Sequence, residues 1–342
     1  MHKGTRWSGV PEPQGGFSPL HYICQRAQGE LILDGKLDKP FWDHASWSSD
    51  FVDIEGAVQP LPPKRTRVKM LWDDYYLYIG AELEEDQIWA TLTERDSVIF
   101  HDNDFEVFID PDGDTHNYYE FEINALNTVW DLFLPKPYRD GGPPINGWDI
   151  AGLQTAVHIK GELNNPAANN LGWSLEIAMP WKILKESASH GQAPQVGDVW
   201  RINFSRVNWL VEVRDGQYVK KINPATNSPY PEANWVWSPQ GIINMHYPEL
   251  WGFLLFAQGP MEFQLDPDEL LKWELRRLYY RQRNYYAQHG VFSADFTSLK
   301  GEDQWTIDPV IETTTSLFQA WIVATDGRTR LNIREDGQIW RE

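Results

Sequence analysis

Two short segments hold the residues whose types and spacing could do chemistry. In Asp104-Phe105-Glu106-Val107-Phe108-Ile109 acidic and apolar residues alternate, and Glu120-Phe121-Glu122-Ile123-Asn124 repeats the pattern. On a strand, a period of two sends Phe105, Val107 and Ile109 to one face and Asp104 and Glu106 to the other. The same split turns Phe121 and Ile123 inward and Glu120, Glu122 and Asn124 outward. If the two strands are neighbours, four carboxylates and an amide crowd one sheet face. Such crowding is destabilising unless a cation or hydrogen-bonding partner balances it. Hydroxyl groups donate well to ionised carboxylates, so this face suits a hydroxyl-rich ligand such as a sugar. An ordinary solvated face, or an acid and base pair for glycoside hydrolysis, would use the same residues.

Asp110-Pro111-Asp112-Gly113-Asp114 sets carboxylates at alternate positions of a tight turn, the ligand type that calcium prefers. It departs from an EF-hand: the glycine stands fourth rather than sixth, and Phe121 occupies the place of the bidentate acid. A plain acidic turn accounts for it equally. His101, His116, His158, His190 and His246 never fall into metal spacing such as HExxH, and are read as loop or surface residues. No GxSxG elbow, P-loop or dinucleotide glycine fingerprint occurs, and nucleophilic catalysis has no support.

The elements that must position these residues are short strands. Lys64 to Trp72 and Tyr76 to Leu83 flank the turn Asp73-Asp74-Tyr75, a predicted hairpin. Phe105 to Ile109, Tyr118 to Asn124, Thr128 to Leu134, Thr155 to Lys160, Trp173 to Met179, Trp200 to Val207 and Trp251 to Phe256 follow. Leu210 to Gln240, with Trp235 and Trp237, reads as a long irregular loop, a length that is usually functional or disordered. Many short strands with turn signals between them predict a mainly β fold: an antiparallel two-sheet β-sandwich, immunoglobulin-like or jelly-roll-like. Residues 1–28 read as an extended arm, 29–259 as the sandwich, and 260–342 as a small C-terminal α+β appendage. In the last, Asp266-Pro267-Asp268-Glu269 caps a helix that runs to Gly290. Asp326-Gly327 and Asp336-Gly337 turn a meander packed on that helix.

Composition narrows the partners. The 342 residues carry a net charge of −19 and 18 tryptophans. So acidic a surface repels phosphate backbones and anionic lipid, which excludes nucleic acid and peripheral membrane binding as first readings. The longest clean apolar run, Trp251 to Ala257, is far short of the roughly 20 residues of a membrane helix. The single cysteine, Cys24, forms no internal disulfide. Aromatics fill cores, and they also stack on the apolar faces of sugar rings.

Several segments together resemble family 9 carbohydrate-binding modules. They are Ile32-Leu33-Asp34-Gly35-Lys36-Leu37-Asp38 with Phe41-Trp42, Val68-Lys69-Met70-Leu71-Trp72-Asp73-Asp74-Tyr75-Tyr76-Leu77-Tyr78, and Asp102 to Asp110. Phe121-Glu122-Ile123-Asn124, Gly172 to Trp181 and the closing Trp251-Gly252 complete the set, in order, from about residue 30 to 257. The resemblance implies a β-sandwich that binds oligo- or polysaccharide without catalysis, with structural calcium in some members. Glu106, Glu122 and Asn124 fall on its polar sugar contacts, although an arginine is usual in some members at Glu122. Its aromatic clamp falls on or beside Phe100 and near Met245-His246, where Trp235, Trp237 or Tyr247 would substitute. Arg206 breaks the alternation of its strand and is expected at a bulge or strand end near the same face. The expected sugar site is therefore Phe100, Asp104, Glu106, Glu122, Asn124, Arg206, Trp235, Trp237 and His246, and the expected metal ligands are Asp110, Asp112 and Asp114. A glycoside hydrolase and a sugar-free interaction module, with a protein partner on 260–342, stand as alternatives. The resemblance favours export to the cell exterior or periplasm, and the amino end shows no signal peptide.

Overall fold

The protein is described by a computed structural model over residues 7–301 and 304–342; the first six residues of the expected arm lie outside it. In chain order, β1 (His21–Arg26) turns Tyr22 and Cys24 into the core. β2 (Val52–Asp53) precedes the hairpin of β3 (Thr66–Trp72) and β4 (Tyr76–Glu84). Its turn is fixed by Asp73, whose carboxylate accepts from the N–H groups of Tyr75 and Tyr76 at 2.7 and 2.8 Å. β5 (Asp104–Asp110), β6 (Tyr118–Asn124) and β7 (Val129–Leu134) form an antiparallel meander. β8 (Gln154–Lys160) pairs with β9 (Gly172–Pro180), which runs into the single-turn helix α1 (Trp181–Leu184).

After β10 (Val199–Asn208), the stretch expected to be irregular is instead folded into hairpins. β11 (Val211–Arg214) and β12 (Gln217–Lys220) meet across Asp215-Gly216. Both turn residues have positive φ, 53° and 77°, the mirror-image turn whose twist suits a two-residue hairpin. β13 (Ile222–Asn223) and β14 (Ser228–Pro229) pair next, and then come β15 (Ala233–Val236) and β16 (Gly252–Ala257).

The two antiparallel sheets expected from the sequence are one curled, mixed sheet. Its order is β7-β6-β5-β10-β16-β1-β3-β4-β9-β8, with β15 bridging β10 and β2. β1 runs parallel to both neighbours, pairing Cys24 with Phe256 and Gln25 with Leu71. This strand comes from the expected arm and joins what would otherwise be two separate edges. The inward faces of the two halves share one apolar core, with Val68, Met70 and Ile79 on one side and Phe105, Phe121, Phe204 and Trp237 on the other. Each such side chain contributes about 1.5–3 kcal/mol on burial.

A second core lies under α2 (Asp268–His289), α3 (Phe296–Lys300) and an antiparallel sheet of β17 (Val310–Thr313), β18 (Phe318–Val323), β19 (Arg330–Arg334) and β20 (Ile339–Arg341). Asp266 accepts from the Asp268 N–H at 2.9 Å at the start of α2, and Gly290 ends it in the left-handed region. Leu275, Leu278 and Tyr279 pack there on Ile322, Leu331 and Ile333. The arm straps this helix: Asn284 exchanges two 2.9 Å hydrogen bonds with the backbone of Val10. Arg283 of α2 pairs with buried Asp140, and Arg201 of β10 reaches Glu269 of α2 at 2.5 Å, so charge as well as apolar packing docks the appendage. Among the described residues, no helix is long and apolar enough to cross a membrane.

Candidate functional site

β5 and β6 are neighbours in the register their alternation requires. Asp104 stands opposite Asn124, Glu106 opposite Glu122 and Phe108 opposite Glu120; Trp130 of β7 follows opposite Glu122. Phe105, Val107, Phe121 and Ile123 face the core, so the acids share the other face. That face is not a solvated surface. The single-turn helix Ile99–His101, the Tyr138 loop and the segment 244–246 cover it, leaving an open cleft of about 430 Å³. Asp104 is 0% exposed and Glu122 only 1%.

The cleft combines aromatic walls with a carboxylate floor. Phe100 lies against Trp130, with ring centroids 6.4 Å apart and planes at 33°. Its position is fixed twice: its N–H donates to Glu122 Oε2 at 2.9 Å, and its carbonyl accepts from Trp209 Nε1 at 2.8 Å. Tyr138, 42% exposed, stands edge-on to His246 with centroids 4.5 Å apart. Glu106, Glu120 and Glu122 form the floor, with Glu232 and Asn234 also lining the cleft. Asp104, Glu106 and Glu122 each bring an oxygen to within 4.8 Å of the others. Glu120 Oε2, Asp104 Oδ2 and Trp130 Nε1 are buried without a hydrogen-bonding partner among the described residues.

Burial and mutual repulsion govern the charges. Burial pushes Glu106 up to about 7, with Glu232 adding to the shift. Glu120 and Glu122 are raised well above the carboxylate range, first by burial and then by the charge of Glu106. Asp104 is raised for the same two reasons. Burial, and then nearby Arg139, hold His246 down at about 3, so its ring is neutral near neutral pH. Its Nδ1 shares a 2.8 Å hydrogen bond with the Tyr118 hydroxyl.

Of the residues expected at the site, Phe100, Glu106, Glu122 and His246 line the cleft, and Asp104 lies beside the two glutamates. Asn124 does not take part. Its Nδ2 donates to the Leu92 carbonyl and to Asp102, and its Oδ1 accepts from the N–H groups of Leu126 and Thr128, all at 2.9–3.0 Å. Its amide is consumed in holding the turn after β6. Arg206, Trp235 and Trp237 belong to the opposite face. Arg206 pairs with Trp235 across β10 and β15, and its guanidinium lies 5.0 Å over that ring. It donates to Glu85 at 2.7 Å, to the Glu84 carbonyl at 2.9 Å, and to Thr66 and Asn208 at 3.0 Å. Unbroken alternation through β10 puts Phe204 and Arg206 on the core side, so neither a bulge nor a strand end turns the arginine out. Trp235 and Trp237 are core residues with Phe204.

Trp130, Tyr138, Glu120 and Glu232 enter the cleft without having been assigned to the site. Trp130 alternates correctly within its strand, but only the register against Glu122 reveals which face it joins. Tyr138 comes from a Pro- and Gly-rich loop that carries no periodicity.

At the far end of β5, Asp110, Asp112 and Asp114 also converge to within 4.8 Å. Asp110 accepts from the N–H groups of Gly113 and Thr115 at 3.1 and 2.9 Å. Asp114 accepts from the His116 N–H at 2.6 Å and from Gln338 Nε2 at 2.7 Å. Burial and the neighbouring acids raise Asp112 to about 6. An all-oxygen donor set of this kind fits a hard cation, although the same oxygens also fold the turn.

Residues 32–198 match a family model described as carbohydrate family 9 binding domain-like. Over 162 residues the chain is 25% identical to the exoglucanase XynX of Acetivibrio thermocellus, covering 46% of this chain and 12% of that protein. The chain thus spans only about an eighth of the length of this relative. A family 9 carbohydrate-binding module from Caldicellulosiruptor kristjanssonii, solved with cellotriose, aligns with 16% identity and a TM-score of 0.43, over 73% of this chain and all of that one. A candidate carbohydrate-binding protein from Bacteroides uniformis aligns with 14% identity and a TM-score of 0.50, over 70% of this chain and all of that one.

Proposed function

We propose that this chain, a carbohydrate-binding module family 9-like protein, holds a sugar non-catalytically in the cleft between Phe100 and Tyr138. One observation supports this more than any other: the alternating acids of β5 and β6 form the floor of a cleft whose walls are aromatic. Phe100 and Trp130 offer ring faces for stacking, and the carboxylates accept hydrogen bonds from hydroxyl groups. The buried oxygen of Glu120, without a donor among the described residues, gives such a ligand an unfilled acceptor to satisfy. Apart from Glu232, the acids belong to one strand pair, whereas hydrolysis needs carboxyl groups flanking the scissile bond. That arrangement favours binding over turnover.

A structural calcium ion on Asp110, Asp112 and Asp114 belongs to the same proposal. It would balance three crowded carboxylates about one strand length from the cleft and take no part in gripping the sugar.

The test is a glycan-array screen of the wild type and Phe100→Ala, with and without calcium, and with product formation followed on every hit. Binding without product, weakened in Phe100→Ala, is the expected result. Silence across the array would overturn the sugar reading in favour of a sandwich that serves as an interaction module. Turnover would replace it with a glycoside hydrolase.

A further inference from the structure

Several buried acids elsewhere in this molecule have a basic partner: Asp131 has Arg95, Glu85 has Arg206 and Lys64, Glu176 has Lys39, and Asp140 and Glu249 have Arg283 and Arg139. Buried Asp102 and Asp110 are instead held by backbone N–H groups, of Thr91 and Leu92 for the first and of Gly113 and Thr115 for the second. The cleft differs. Glu106, Glu120 and Glu122 line it, Glu232 joins them, and among the described residues no lysine or arginine does. The histidine that lines it, His246, is held neutral by burial and then by nearby Arg139, and its Nδ1 shares a hydrogen bond with Tyr118. Glu120 lines this space, and its buried Oε2 has no donor among the described residues. Carboxylates set below aromatic faces are the two elements that bind an ammonium group, by charge-assisted hydrogen bonds and by cation–π attraction.

Resting on the sugar-binding reading above, we propose that the cleft selects a cationic sugar: an amino sugar whose ammonium sits among Glu106, Glu120 and Glu122 while its ring lies against Phe100 and Trp130. A neutral sugar brings no charge to balance these crowded acids, whose ionisation burial and mutual repulsion oppose. The ammonium supplies the missing charge and three donors, and one of them can reach the Glu120 oxygen that the protein leaves unsatisfied.

The experiment compares three trisaccharides that differ chiefly at the 2-position: the β-1,4-linked glucosamine trimer, cellotriose, and the N-acetylated trimer. Binding to the full chain is measured by calorimetry near neutral pH, with and without EDTA, and spermidine serves as a control for charge without a sugar ring. The glucosamine trimer should bind about tenfold more tightly than cellotriose, the factor that one added charge-assisted contact of about 1.4 kcal/mol gives. The preference over the N-acetylated trimer should be at least as large, since acetylation removes the charge. Glu120→Gln should shrink the preference severalfold; should that variant fail to fold, the comparison on the wild type still decides.

Cellotriose binding as tightly as the amino sugar would overturn this inference and leave the sugar-binding reading standing. Failure of all three trisaccharides would overturn that reading itself. Loss of binding in EDTA would assign the acids to a metal ion instead, and spermidine matching the amino-sugar trimer would make this a polyamine site.

Discussion

Glu106 and Glu122 stand directly opposite each other on adjacent antiparallel strands, and with Asp104 they bring carboxylate oxygens to within 4.8 Å. Among the described residues, no lysine or arginine lines the cleft that they floor. In the free protein this arrangement is costly, because burial and repulsion both oppose ionisation. Sites of this kind trade stability for binding, and the trade is measurable.

The first prediction concerns stability and pH. Glu106 has a value of about 7 in the folded chain against an ordinary 4.5. Between those limits the folded state keeps a proton that the unfolded state has released, so this residue's contribution to stability falls as pH rises through that window. Above about 7 the full penalty is present. Glu106→Gln carries no such proton. Its melting temperature should match the wild type near pH 4.5 and exceed it by a few degrees near pH 8. A gap that does not widen with pH would show that the residue is not held protonated.

Arg206 provides the second. Its guanidinium is buried among Thr66, Glu84, Glu85 and Asn208 on the core side of β10. Breaking a buried ion pair from one side costs about 3–5 kcal/mol. Arg206→Met should lower the denaturant midpoint accordingly, while the folded fraction keeps its sugar affinity within about twofold. A large loss of affinity without loss of stability would place the arginine in the cleft.

The aromatic walls give the third prediction. Removing one stacking face costs about 1 kcal/mol or more, so Phe100→Ala and Tyr138→Ala should each weaken sugar binding about fivefold or more, as read by calorimetry. Trp235→Phe, a change within the core, should leave affinity unchanged. The reverse ranking would return the site to the other face of the sheet.

The fourth concerns the aspartate turn. Calcium should raise the melting temperature of the wild type by a few degrees, and Asp112→Asn should abolish that shift. A wild-type melting temperature that ignores both calcium and chelator would rule out an ion there.

How much of this was legible in the sequence depends on whether the signal is local. The alternation in β5 and β6 displayed the two faces of the strand pair, and local periodicity was enough to separate Glu106 and Glu122 from Phe105 and Phe121. The Asp73 turn and the capped helix ending at Gly290 were legible for the same reason. Strand pairing over long distances was not. β1 lies parallel between β3 and β16, and no turn connects it to either, so His21–Arg26 read as arm and the curled sheet read as two. The same blindness misplaced Arg206, Trp235 and Trp237. Their face is set by the register of β10 against β5 and β15, which composition does not encode. Asn124 sat on the expected face, yet its amide was already spent on Leu92, Asp102, Leu126 and Thr128. Tyr138 was invisible because a loop residue's direction is decided by what the loop packs on, here Arg139 and Asp140 anchored by Glu249 and Arg283.

The most direct test of the central claim is a crystal structure of the protein with an oligosaccharide that it binds. The account predicts a sugar ring stacked on Phe100 and Trp130, with polar groups of the sugar within hydrogen-bonding distance of Glu106, Glu120 and Glu122. A sugar bound elsewhere with this cleft empty, for instance in the groove lined by Trp47, Arg67 and Lys160, would contradict it.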